Sequence, residues 1–268
     1  MYPVVIRFGA FEITSFGVMI GVAFAVGLWL FRRELRRSGL PVATADAALW
    51  GMVGGLLGAK LAWALEFWRQ APFSSLFFAR GGFSWYGGLF GGLAIGILAL
   101  RRCRAPLLRV LAAATPAFAI GHLLGRIGCF LVGDDYGRPS NLPWAVAFPN
   151  GLPPTTVPVH PAQLYEAVAL AGLGWALLHW RASGVADRVV LGRYLAAAGL
   201  IRFAIEFIRV NEPVAGPLTL AQLFAGALMI GGVALLIPTR PSPAPRGAPL
   251  PASASLGPHT EPSRRSFL

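Results

Sequence analysis

Long apolar blocks alternate with short polar connections along the whole chain, and the blocks are too long for the strands of a soluble core. Uncharged stretches run from Ile13 to Phe31, Phe83 to Leu100 and Leu218 to Ile237. At a rise of about 1.5 Å per residue, each can cross a hydrocarbon layer of about 30 Å as a helix. Four more blocks carry ionisable intruders: Ala47 to Leu65 with Lys60, Val110 to Gly125 with His122, Gln163 to Trp180 with Glu166 and His179, and Val190 to Ile208 with Arg193, Arg202 and Glu206. The pattern predicts an all-α polytopic membrane protein with seven transmembrane helices. The sixth block is the weakest by hydropathy. Ala71 to Ala79 is too short to span and is expected in the interface. The tail from Pro238 to Leu268, rich in Pro, Ser and Ala, is expected to be disordered, leaving residues 1–237 as one membrane domain.

Composition agrees, with 56% hydrophobic residues against 13% charged. The arginines add an orientation, because positive charge concentrates in short cytoplasmic loops. One set of connections and ends holds fifteen: Arg32, Arg33, Arg36, Arg37, Arg101, Arg102, Arg104, Arg109, Arg181, Arg188, Arg193, Arg240, Arg246, Arg264 and Arg265. The opposite set holds six, Arg7, Arg69, Arg80, Arg126, Arg138 and Arg209. This places the N-terminus outside and the C-terminus in the cytoplasm of a multi-pass protein of a bacterial inner membrane. The net charge of +12 is then a topology signal with some attraction to anionic lipid, and no nucleic-acid partner is expected. No basic n-region and cleavage site mark the start, so the first span is expected to be retained. Cys103 and Cys129 fall on opposite sides, and no metal-ligand spacing or cofactor motif is present.

On this topology the polar intruders gather at the outer leaflet: Lys60, Tyr86, His122, Arg126, His160, Glu166, Arg202, Glu206 and Arg209. A charge at the centre of a membrane helix costs at least about 2.5 kcal/mol, so a one-sided cluster needs a reason. Pairing is one: Arg202 with Glu206, Glu206 with Arg209, and Lys60 with Glu166 across helices. Arg126 has no evident helical partner. It closes the run from Val110 to Gly125 and opens a glycine-rich turn, GRIGCFLVGDDYGRP, with two carboxylates. Arginines facing a lipid-filled cleft can clamp a phosphate, since the planar guanidinium donates to two oxygens at once.

Four blocks then carry a resemblance. GRIGCFLVGDDYG (Gly125 to Gly137), HPAQLYE (His160 to Glu166), RFAIEFIR (Arg202 to Arg209) and SWYGGLFGG (Ser84 to Gly92) are similar, in order, to the signature blocks of prolipoprotein diacylglyceryl transferases. The resemblance covers roughly Ile13 to Ile237. It implies transfer of diacylglycerol from phosphatidylglycerol to the lipobox cysteine thiol in the signal peptide of a preprolipoprotein, releasing glycerol 1-phosphate. It also implies that Arg126 and Arg202 are catalytic, with Arg126 contacting the lipid, and that Lys60, His160, Glu166, Glu206, Arg209 and Asp134 bind substrate. Gly87, Gly88, Gly91 and Gly92 are expected to serve helix packing.

The chain departs from the family pattern at Tyr86, where a histidine is common, and at Phe16, Cys129, Val132 and Asp134. A phenol with a pKa near about 10 replaces that histidine poorly as a general base. His122, one turn before Arg126, can take the role or be a structural hydrogen-bonding group. Cys129 is expected to pack rather than react. Two other functions fit the same residues: transfer of a different lipid or to a different acceptor, and a non-enzymatic lipid or anion carrier.

Overall fold

In the computed structural model, which describes residues 4–8, 11–79 and 82–238, helices occupy each of the seven predicted segments. They are α1 (Ser15–Arg37), α2 (Asp46–Glu66), α4 (Trp85–Arg102), α5 (Leu107–Val132), α6 (Ala162–Ala182), α7 (Asp187–Glu206) and α8 (Leu220–Leu236), with a short α3 (Phe73–Phe77) between α2 and α4. Among the described residues, three segments are long and apolar enough to cross a membrane: α1, Val42–Glu66 and α5. Arg80 and the tail beyond Pro238 lie outside the described residues.

Local chemistry sets the helix ends. Thr14 accepts the amide of Gly17 at 3.1 Å and Ser84 that of Gly87 at 3.4 Å, so α1 and α4 begin at these hydroxyls, slightly later than their apolar blocks. Thr219 and Gln222 cap each other reciprocally at the start of α8. The fourth block needed correction. The helix does not end at Gly125; GRIGCFLV continues it for two more turns until Gly133, whose φ of 82° stops it in the left-handed conformation. Arg126 therefore sits inside α5, and the glycine turn begins after it.

Helices α2 and α4 pack as a glycine-lined hairpin. A Cβ at Gly58 would overlap the Gly87 carbonyl, and one at Gly91 the Gly54 carbonyl, so only glycine allows this approach. Helices α1, α5, α6 and α7 form a second group. At the arginine-rich end it is joined by Glu34, which is 1% exposed, Arg181 at 2.9 Å, and Asp187 at 2.9 Å from Arg181. Among the described residues there are also three two-stranded antiparallel ribbons: β1 (Val4–Phe8) with β2 (Phe11–Thr14), β3 (Val146–Phe148) with β4 (Thr155–Val159), and β5 (Pro213–Ala215) with β6 (Leu218–Thr219). Phe148, at the end of β3, is fully buried and lies edge-on to Phe130 of α5 and stacked on Tyr136. That contact fixes the loop after α5 against its own helix.

Candidate active site

The loop leaving α5 ties together the ends of three helices. The Gln163 amide donates to the Asp134 carbonyl at 2.5 Å, Gly137 N–H to the His160 carbonyl at 2.9 Å, and Arg138 N–H to the Ile208 carbonyl at 2.8 Å. Within this loop Asp135 has φ of 62°, a left-handed conformation that a short polar side chain tolerates better than most. From there its carboxylate reaches two helices.

A single chain of alternating charge results. His122 Nε2 lies 3.3 Å from one oxygen of Glu166, and Arg126 Nε 2.9 Å from the other. Arg126 Nη1 donates to Asp135 at 2.9 Å, and the other Asp135 oxygen accepts from Arg209 at 2.5 Å. Arg209 Nε is 3.8 Å from Glu206, which also holds Arg202 Nη1 at 2.7 Å. Thr219 Oγ1 and Asn211 Nδ2 each donate to Glu206 at 2.7 Å. Three guanidinium groups thus meet three carboxylates, and the buried charges of Glu166 and Glu206 are matched. The matching is incomplete at the arginines themselves. None of the described bonds uses Arg126 Nη2, and those of Arg202 use only Nη1.

Two expectations are corrected here. Arg126 is not unpartnered, because α5 and α6 pack with Arg126 against Glu166 and the loop returns Asp135 to it. Lys60 is not the partner of Glu166. It donates to the Ala79 carbonyl and lies 4.4 Å from the Phe83 ring, within the α2–α4 hairpin. Tyr86 belongs to the same hairpin, with its ring 5.9 Å from that of Phe224 on α8. His160 stands beside the charge chain, its Nδ1 3.3 Å from the Tyr165 hydroxyl, which accepts from Trp144 Nε1 at 2.7 Å. Asp135, Asn211, Thr219 and Gln163 were not singled out by the sequence. Asp135 is the second acid of GDDYG and Gln163 lies within HPAQLYE, whereas Asn211 and Thr219 fall outside all four blocks.

Burial pushes the Asp135 carboxyl up, but the hydrogen bond and charge of Arg209, joined by Arg126, outweigh it and hold the group below the usual carboxylate range. Burial pushes Asp134 above that range. Cys129, Asp134 and Asp135 offer ligand atoms within 4.8 Å of one another, a grouping that the spacing alone did not reveal. Two guanidinium groups already hold Asp135, so positive charge stands where a cation would bind. This disfavours a metal at that point.

Below His122 opens a cavity of about 590 Å³ between α1, α2, α4 and α5. Its walls are glycine and apolar side chains, Phe24, Phe31, Met52, Leu89 and Phe118 among them, with His122 the one ionisable group among the described residues that line it. It follows α5 from His122 to Val110, about 18 Å at about 1.5 Å per residue. An apolar slot of this length beside a guanidinium cluster suits an amphiphile with a hydrocarbon chain and an anionic head.

The profile of a family described as prolipoprotein diacylglyceryl transferase matches residues 3–238. A protein of Nitratidesulfovibrio vulgaris named phosphatidylglycerol–prolipoprotein diacylglyceryl transferase is 34% identical over 236 residues, 85% of this chain and 88% of its own length. Proteins with the same name from Geobacter sulfurreducens and Methylococcus capsulatus are 32% and 33% identical over 251 residues, covering 88% and 87% of this chain and 94% of each relative.

Proposed function

The chain belongs to the prolipoprotein diacylglyceryl transferase family, and on that premise we propose that it transfers the diacylglyceryl group of phosphatidylglycerol to the lipobox cysteine thiol of a preprolipoprotein and releases glycerol 1-phosphate. The observation that carries this reading is the position of Arg126. It is held by Glu166 and Asp135 through Nε and Nη1, one turn along α5 from the histidine that heads the apolar cavity. The two carboxylates orient the guanidinium and leave an edge for a phosphate oxygen. Arg202, oriented by Glu206, offers a second edge, and the cavity offers room for an acyl chain. As the carbon–oxygen bond to phosphate breaks, negative charge builds on the leaving oxygen, where preorganised guanidinium donors stabilise it most. Glu206, Arg209 and Asp134 belong to the frame of this site, while Lys60, Tyr86 and His160 line the approach used by the lipid or the peptide.

Full-length protein in vesicles of labelled phosphatidylglycerol, given a lipobox peptide, is expected to release labelled glycerol phosphate and gain a peptide thioether. A carrier would bind the lipid and release nothing, and another lipid or acceptor would be revealed by substituting each in turn.

The reaction also requires the site to face the compartment of exported peptides. Seven crossings of the bacterial inner membrane, with the N-terminus outside and the C-terminus in the cytoplasm, satisfy this requirement and agree with the arginine asymmetry. In a background lacking Cys103 and Cys129, single cysteines at Asn150 and Ser183 are expected to label from outside and from inside, respectively. The reverse pattern would remove both the topology and the access of exported substrate.

A further inference from the structure

The proposed transfer needs a proton acceptor, because a thiol with a pKa near about 8.5 is mostly protonated at neutral pH and only the thiolate attacks well. Position 86 holds a phenol. We propose that His122, oriented by Glu166, is the group that takes the thiol proton, an inference that rests on the transferase reading above. Three observations support it. His122 lines the cavity at its polar head. Its Nε2 faces Glu166 at 3.3 Å, so the carboxylate electrostatically favours the tautomer with the hydrogen on Nε2, which keeps the lone pair on Nδ1. Glu166 is 1% exposed and its second oxygen lies 2.9 Å from Arg126 Nε, so an ion pair holds the group that faces the ring.

The charged groups around His122 are few. Glu166 reaches it from α6, Arg126 lies on its own helix, and Arg202 acts from α7. Helices α1, α2 and α4 contribute only apolar side chains and glycine to the cavity it heads. One carboxylate therefore stabilises the imidazolium formed during reaction, while Arg126 lies one helical turn away, beside the departing phosphate. This separates the roles: His122 is the catalytic base, and Glu166 is a positioning residue shared by the base and the phosphate clamp.

The step balances without a further reactant. The S–H proton passes to His122 Nδ1, and sulfur forms the S–C bond to the glyceryl carbon as the C–O bond to phosphate breaks. The electron pair leaves on the oxygen of glycerol 1-phosphate, and the imidazolium returns the proton to that phosphate.

The test measures glycerol phosphate release and phosphatidylglycerol binding from pH 5.5 to 9 for the full-length protein and its variants. Wild-type kcat is expected to rise with pH and level off as the imidazole becomes neutral. His122→Gln is expected to lower kcat by about 100-fold or more with lipid affinity retained, a typical loss for a general base, and to lose the levelling. Its residual rate should climb about tenfold per pH unit toward the thiol pKa, because ionisation then depends on solvent. Where the Gln variant does not bind lipid, His122→Asn, which keeps a donor for Glu166, is measured in its place with the same expectation. Either lipid-binding variant with wild-type kcat and an unchanged pH profile overturns the base assignment while leaving the transferase intact. A wild-type protein that releases no glycerol phosphate fails at the earlier reading instead.

Discussion

Arg126→Gln is expected to abolish measurable lipid transfer, a loss of about 100-fold or more, by removing a charged donor aimed at the developing phosphate charge. The variant also strips Glu166 of its 2.9 Å partner and frees Asp135 from one of its two guanidinium contacts. Helical content and detergent-extracted yield should nonetheless persist, since glutamine fills similar space, can donate to Glu166, and His122 remains 3.3 Å from the same carboxylate. Arg126→Lys separates charge from shape. An ammonium keeps the charge but lacks the fork that meets Glu166 and Asp135 together, so it should recover little activity. Release of glycerol phosphate by Arg126→Gln at the wild-type rate would refute the clamp.

The helices were legible because apolar length is a local property, and Gly87 and Gly91 could be read as packing positions, but their partners Gly54 and Gly58 on α2 emerge only from the packing itself. Arg202 and Glu206 could be paired from spacing alone, being four residues apart on one helix. Glu206 and Arg209, three apart, could be paired the same way, but the contacts between helices and loop could not. Asp135 and Arg209 meet across 74 residues, and Glu34 meets Arg181 across 147, so each contact depends on how helices pack and on where a loop returns. That is why Lys60 looked like a partner for Glu166 and Arg126 looked partnerless. The choice between Asp134 and Asp135 was equally hidden, since two adjacent acids differ only once the backbone places one in the left-handed region and turns it toward Arg126 and Arg209.

The frame that these contacts build has a consequence for catalysis. Arg126 and Arg209 share Asp135, and Arg209 and Arg202 share Glu206, so the two proposed phosphate ligands are coupled through one aspartate, one arginine and one glutamate. An alternating chain keeps each guanidinium from drifting onto its neighbour's carboxylate. Double-mutant cycles along it should be strongly non-additive.

Glu206 is the position where that coupling is expected to fail most visibly. Its carboxylate is 1% exposed and accepts from Thr219 and Asn211 at 2.7 Å while holding Arg202 at 2.7 Å. Glu206→Ala removes all of these at once and leaves two arginines, Arg202 and Arg209, facing each other's charge inside the bundle. Removing one partner of a buried ion pair costs about 3–5 kcal/mol, which for a chain of this size lowers the unfolding temperature by on the order of 10 °C. Transfer should fall with it, because Arg202 loses the group that aims it. Glu206→Gln tests which loss matters, since an amide oxygen still accepts from Thr219 and Asn211 but supplies no charge. The Gln variant is expected to regain most of the thermal stability lost by Ala while remaining strongly impaired in glycerol phosphate release. Full activity in Glu206→Gln would show that the charge of Glu206 has no part in positioning Arg202, and wild-type melting of Glu206→Ala in the same detergent would show that the site is not a load on the fold.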